Sequence, residues 1–162
     1  MSVRRPVLGA LAAIACLACA EARAVDCAVF TAGIAFGVYD PTLATPTDAA
    51  GSVRLQCRHT RGGATRVNYG IALSAGNSGE FAQRQMRAGA DILSYNLFSS
   101  AARILVWGDG TQGSGLVSGS LLVNPGSLSV VEAVHPIYGR MLAQQPANTG
   151  NYADTVLVTV TF

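Results

Sequence analysis

Thr155-Val156-Leu157-Val158-Thr159-Val160-Thr161-Phe162 decides the fold class. Val156, Val158, Val160 and Phe162 fall on one face, and three threonines with Leu157 fall on the other. Alternation with a period of two, in β-branched and aromatic residues, suits a strand with one face buried and one in water. The same pattern recurs upstream. In Val53-Arg54-Leu55-Gln56-Cys57 the apolar residues again occupy every second position. Val67 to Ser74 repeats it before the turn cluster Gly76-Asn77-Ser78-Gly79, and Ala28 to Val38 runs to Tyr39-Asp40-Pro41. Leu93–Phe98, Ile104–Trp107, Leu116–Val123, Ser127–Val131 and Ile137–Leu142 supply five further expected strands. The best helical candidate, Phe81 to Ala88, is mostly polar and stops at Gly89, and no sustained apolar stripe at helical spacing occurs. About eight or nine short strands at near-regular spacing predict an all-β sandwich.

The N-terminus is of a different kind. Arg4 and Arg5 precede an apolar run from Pro6 to Ala20, and Ala22-Arg23-Ala24 follows. A basic start, a short apolar run and small residues at the cleavage positions define a secretory leader. The run is too short for a membrane span, which takes about 20 residues. The expected division is a leader over 1–24 and one domain over 25–162, with Ala18-Cys19-Ala20 as a second cleavage option. Cys16 and Cys19 raise a lipoprotein reading, which the residues before each cysteine fit poorly. The leader also carries the charge excess. Of eleven basic and nine acidic residues, Arg4, Arg5, Arg23 and Glu21 leave with it, so eight of each remain. A near-neutral domain gives no electrostatic case for nucleic acid or an anionic membrane.

Two cysteines, Cys27 and Cys57, stay in the exported domain. An even pair in an oxidising compartment reads as one disulfide. The chain contains no lysine, so assembly through a lysine isopeptide bond is closed to it. Association is then non-covalent or through disulfides.

Candidate chemistry fades on inspection. Gly108-Asp109-Gly110-Thr111-Gln112-Gly113 has the G-x-G-x-x-G spacing, but the segment after it reads as a strand. A dinucleotide site needs a helix opening there, with its N-terminus facing the pyrophosphate. His59 and His135 are the only candidate bases, each at an expected strand edge, and no G-x-S-x-G elbow is present. Asp109 among glycines resembles half of a calcium loop and lacks the repeated acidic ligands. Trp107 and Tyr95 suit the core better than a sugar-stacking face. The expectation is a non-enzymatic protein with no cofactor and no metal.

A series of short motifs then extends over most of the exported domain: Cys27, Phe36-Gly37-Val38-Tyr39-Asp40-Pro41, Cys57 and Arg84-Gln85-Met86 come first. Leu93-Ser94-Tyr95-Asn96-Leu97-Phe98, Val106-Trp107-Gly108-Asp109-Gly110, Tyr138-Gly139-Arg140 and Gly150-Asn151-Tyr152-Ala153-Asp154-Thr155-Val156 follow in order. In this series the chain resembles the spore coat protein U domain, the module of archaic chaperone–usher pili. The resemblance implies an immunoglobulin-like sandwich lacking its final strand. It implies as partners a periplasmic pilus chaperone, an outer-membrane usher and neighbouring pilus subunits, with the mature protein passing through the periplasm to the cell surface. Strand addition to an open edge would complete the sandwich. The implied acceptor groove lies between the first and last strands, with Phe30, Ile34, Phe36, Val156, Val158, Val160 and Phe162 as its expected lining. The expected Cys27–Cys57 bridge would hold one wall.

A donor segment needs roughly ten residues to span such a groove, and the expected mature start leaves only Val25 and Asp26 before Cys27, or six residues if cleavage follows Ala20. The expected role is therefore an acceptor, at a tip or as a minor subunit in adhesion or biofilm formation. Two other readings fit an exported sandwich: a self-sufficient secreted module that binds carbohydrate or a surface, and a structural protein of a cell coat.

Overall fold

The computed structural model describes residues 24–125 and 130–162. Eight strands follow in order: β1 (Val25–Ala32), β2 (Thr47–His59), β3 (Thr65–Leu73), β4 (Arg84–Ala88), β5 (Asp91–Phe98), β6 (Val117–Val123), β7 (Val131–Met141) and β8 (Val158–Thr161). The helical content of the described residues is one 3-10 turn, Gly76–Ser78. One sheet has the order β1-β2-β7-β5-β4 and the other β6-β3-β8, and every strand pair is antiparallel. The two sheets face each other as an immunoglobulin-like sandwich. The all-β expectation holds.

The core forms where the alternating faces meet. Val53, Leu55 and Cys57 of β2 are fully buried, and Tyr69, Ile71 and Leu73 of β3 answer them from the other sheet. Leu93, Tyr95, Leu97, Ile137 and Met141 extend this cluster. Burial of each large aliphatic side chain contributes about 1.5–3 kcal/mol. Trp107 completes the core at 1% exposure and donates its indole N–H to the Ile71 carbonyl at 2.9 Å. Tyr95 and Trp107 are thus packing residues, as their composition suggested.

Several elements depart from the sequence expectation. Phe81–Ala88, where no strand was expected, supplies β4 in its second part, paired with β5 from Arg84↔Tyr95 to Ala88↔Asp91. Ile104–Trp107 is no strand. Arg103 stands at φ +53°, which turns the chain there, and only single bridges, Phe98↔Val106 and Trp107↔Gly115, remain. Ile104 is consequently 86% exposed. The expected Ser127–Val131 strand lies largely outside the described residues, and Val131 opens the long β7. Pro136 sits inside β7 opposite Ser52. It is tolerated because β5 reaches only as far as Tyr138, so that side of β7 asks no backbone donor of residue 136. The first strand ends at Ala32 rather than Val38, and the last covers 158–161 rather than 155–162.

Candidate functional site

β1 pairs only with β2, and β8 only with β3, among the described residues. These strands are the edges of different sheets, and a seam runs between them. An edge strand presents a row of unused backbone donors and acceptors. Here the edges also flank incompletely covered core. Val29 is paired with fully buried Leu55 and shares the inward parity of Cys27, yet it is 41% exposed. Across the seam Val158 and Val160 are half-buried, and Phe162 is 59% exposed.

Two cavities follow the seam. One, of about 440 Å³, lies between Thr31–Ile34 and Val156–Val158, over Leu73, Leu97 and Ile137. The other, of about 660 Å³, lies between Val25–Cys27 and Val160–Phe162, beside Thr65 and Val67. The disulfide stands in the second wall. Cys27 and Cys57 are register partners with a Cα separation of 4.1 Å, so the bond ties edge strand β1 to the central β2.

The first cavity owes its shape to two glycines. After Ala32 the chain crosses the inner face of the larger sheet, passing over Gly51 of β2 and Gly139 of β7. A methyl group on Gly139 would stand 2.8 Å from Cζ of Phe36, and one on Gly51 would meet the Ala32 carbonyl and Ile34. Ile34 and Phe36 can therefore lie flat on the sheet only where these strands carry no side chain. Phe36 then meets the Tyr95 ring edge to face, with centroids 5.8 Å apart. Tyr95 donates its hydroxyl proton to Asp154 at 2.7 Å. Burial, and then that carboxylate, push the Tyr95 phenol far above its ordinary range, so it stays a neutral donor. Asp154 also accepts the Asn77 amide at 2.8 Å and its own neighbour Thr155 at 2.7 Å. Its carboxylate occupies the space a side chain on Gly76 would take, and Gly76 has φ +68°.

Of the seven expected groove residues, Ile34, Phe36, Val156 and Val158 line the first cavity, and Val160 and Phe162 line the second. Phe30 does not join them. Its register partner is Arg54, whose neighbours Val53 and Leu55 point into the core, and the Arg54 guanidinium stacks 5.2 Å from the Phe30 ring on the outer face. Sequence reading gave Tyr95 a packing role only and assigned Asp154, Gly51 and Gly139 no part in shaping this cavity. Glycine at an inward position of a strand was the available signal, since it marks a close approach.

The residues weighed for other chemistry are held in structural contacts. Asp109 accepts the backbone N–H and hydroxyl of Thr111, at 2.9 and 2.6 Å, and β6 follows this turn. His59 contacts the Gly63 carbonyl, and His135 contacts the Tyr69 hydroxyl, so the two rings serve different parts of the molecule. Among the described residues no three His, Cys, Asp or Glu side chains cluster as a metal site.

Comparison with known proteins gives a consistent picture. A family model described as the Spore Coat Protein U domain matches residues 13–159. "Protein U" of Myxococcus xanthus is 33% identical over 134 residues, covering 78% of this chain and 70% of that protein. A solved structure, the CsuC–CsuE chaperone–tip adhesion subunit pre-assembly complex from archaic chaperone–usher Csu pili of Acinetobacter baumannii, contains a chain similar at TM-score 0.50 and 25% identity. The match covers 85% of this chain and 40% of that one.

Proposed function

The chain belongs to the Spore Coat Protein U domain family, and from that membership we propose that it is an exported, non-enzymatic structural subunit of a chaperone–usher surface fibre. It accepts a strand from another chain in the β1–β8 seam. A periplasmic chaperone supplies that strand first, and a neighbouring subunit replaces it during assembly at an outer-membrane usher. The observation that carries this reading is the seam: two unpaired edges, one on each sheet, flank apolar side chains that remain half open to water. An extended segment entering there would pair its backbone with β8 and cover Val29, Val158 and Val160 with alternate side chains. The likeness to a chain of a chaperone–tip adhesion subunit complex supports an acceptor position at a fibre tip, in adhesion.

Co-expression in a periplasm with a chaperone of this class, followed by co-purification and amide exchange, tests the reading. Capture of the chaperone with new protection at Val158–Phe162 is the expected result. A stable monomer that forms without any chaperone and leaves this edge unprotected would overturn it. That result would favour a self-sufficient secreted binding module.

A further inference from the structure

We infer that Arg84, which lines no part of the seam, fixes where the accepting edge of β8 begins and so limits how far an incoming strand can pair. The inference rests on the strand-acceptor reading above.

The β3–β8 ladder has four register pairs, from Gly70↔Thr161 to Leu73↔Val158. One step further stand Ser74 and Leu157. Ser74 donates its N–H to the Leu157 carbonyl at 2.9 Å, as an antiparallel ladder requires. The reciprocal bond is diverted. The Leu157 N–H donates to the Ser74 hydroxyl at 2.9 Å, because the Ser74 carbonyl has turned to Arg84. It accepts Nε of Arg84 at 3.0 Å and Nη2 at 2.8 Å.

Arg84 cannot easily release that carbonyl. Its side chain is fully buried, and it also donates to the Trp107 carbonyl at 2.7 Å and to Oδ1 of Asn96 at 2.8 Å. Asn96 is oriented in turn by its amide, which donates to the Phe81 and Ala82 carbonyls. A buried guanidinium that lost these acceptors would be stranded without water.

Before Leu157 the chain leaves the smaller sheet altogether. Ala153 exchanges two backbone hydrogen bonds with Arg87 of β4, at 2.9 and 3.1 Å, so 153–157 arches from one sheet to the other. This arch ends the pairing edge of β8 at Val158, and its residues wall the first cavity beyond that point. A strand laid along β8 finds a free edge over Val158–Phe162, roughly 16 Å at the usual rise per residue. Beyond that it has to end or turn away. The partner class is an extended segment with apolar residues at alternate positions over about five residues, followed by a turn or a terminus. Ser74 is the relay between the clamp and that edge.

The test uses the full exported chain, alone and co-purified with its chaperone, and reads amide exchange residue by residue. Ser74→Ala keeps both carbonyl bonds to Arg84 and deletes the hydroxyl that accepts the Leu157 N–H at 2.9 Å and, more weakly, the Gly76 N–H at 3.4 Å. Arg84→Lys keeps the charge and cannot reproduce the four-bond fork. Both variants are expected to speed exchange at Leu157–Val160 by about tenfold or more, with the β2 amides of Val53–Cys57 changed less than twofold. Both are expected to lower the yield of the chaperone complex. Equal acceleration in β8 and β2 would overturn the inference, since a general structural role would do that. So would a loosened β8 with normal complex yield and an unchanged boundary of protection in the complex. A wild-type chain that takes no strand, while both variants still loosen β8 selectively, counts against the proposed function and supports the clamp.

Discussion

Tyr69 and His135 join the two sheets across the core: the hydroxyl lies 3.0 Å from Nε2, and the rings meet edge to face at 5.6 Å. Tyr69 belongs to β3 and His135 to β7, where it is paired with fully buried Val53. Burial holds the His135 ring below its ordinary pKa of 6.5 and pushes the Tyr69 phenol up. Both rings are thus neutral in the folded chain at pH 7.

A pH dependence follows. The unfolded histidine takes up a proton near its ordinary value of about 6.5, before the folded one does. The stability contributed by neutral His135 is complete above that value. It declines as the pH falls from there through the lower folded pKa. Urea midpoints measured between pH 8 and pH 5 should drop on the acid side. In His135→Gln the drop should be smaller over the same interval. An unchanged acid slope in that variant would remove His135 as the cause.

The disulfide makes a second prediction. Cys27 and Cys57 are separated by 30 residues, and closing such a loop contributes about 3–4 kcal/mol in the chain-entropy model. Cys27→Ser should lower stability by that order, and reductant should then have no further effect on its urea midpoint. Cys57→Ser should cost more, because its new hydroxyl lies at a fully buried position. The bond also tethers an edge strand, so exchange in Val25–Ala32 should quicken first.

How much of this architecture was legible differs from element to element. The alternation in Val53–Cys57 and Val67–Ser74 was enough, because both faces of those strands keep their assigned environment over their full length. The end of β8 was not. Val156 has the right parity, but a buried arginine 72 positions earlier diverts the Ser74 carbonyl and stops the ladder at Val158. Periodicity contains no term for such a contact. The parity of Phe30 misled for a related reason. An aromatic residue in an edge strand suggests a core position, yet here its ring covers Arg54 on the outer face. Phe36 was recognised as apolar, while the glycine that makes room for it, Gly139, lies 103 positions away in sequence. Contacts of that range are set by topology.

The Gly139 platform leads to a third prediction. Gly139→Ala would place a methyl group 2.8 Å from Cζ and 3.1 Å from Cε1 of Phe36, and 3.2 Å from Cδ1 of Ile34. Overpacking of this kind costs about 1–3 kcal/mol. The Phe36 ring should lift from β7 and lose its contact with Tyr95. A lowered thermal midpoint together with weakened Phe36–Tyr95 cross-peaks in NMR spectra would bear this out. Phe36→Ala in the Gly139→Ala background should recover little further loss, since the two changes act on one contact.

Two arginine substitutions separate the seam from the outer face. Val160 is paired with fully buried Ile71 and is half-buried at the edge of the second cavity. Phe30 is 44% exposed over Arg54, with its back to that cavity. Val160→Arg puts a charge where an incoming strand has to bury apolar side chains. Desolvating it costs several kcal/mol unless the long side chain finds a route to water. Capture of the chaperone should fall at least a hundredfold. Phe30→Arg faces solvent, and its direct cost is the lost stacking plus like-charge repulsion with Arg54, about 1 kcal/mol or less. Chaperone capture should stay within threefold of wild type. The measurement is complex yield at matched expression, with circular dichroism confirming that both variants keep the sandwich. Equal loss in both variants would mean that the strand docks on the outer face of β1, and the seam would no longer be the acceptor.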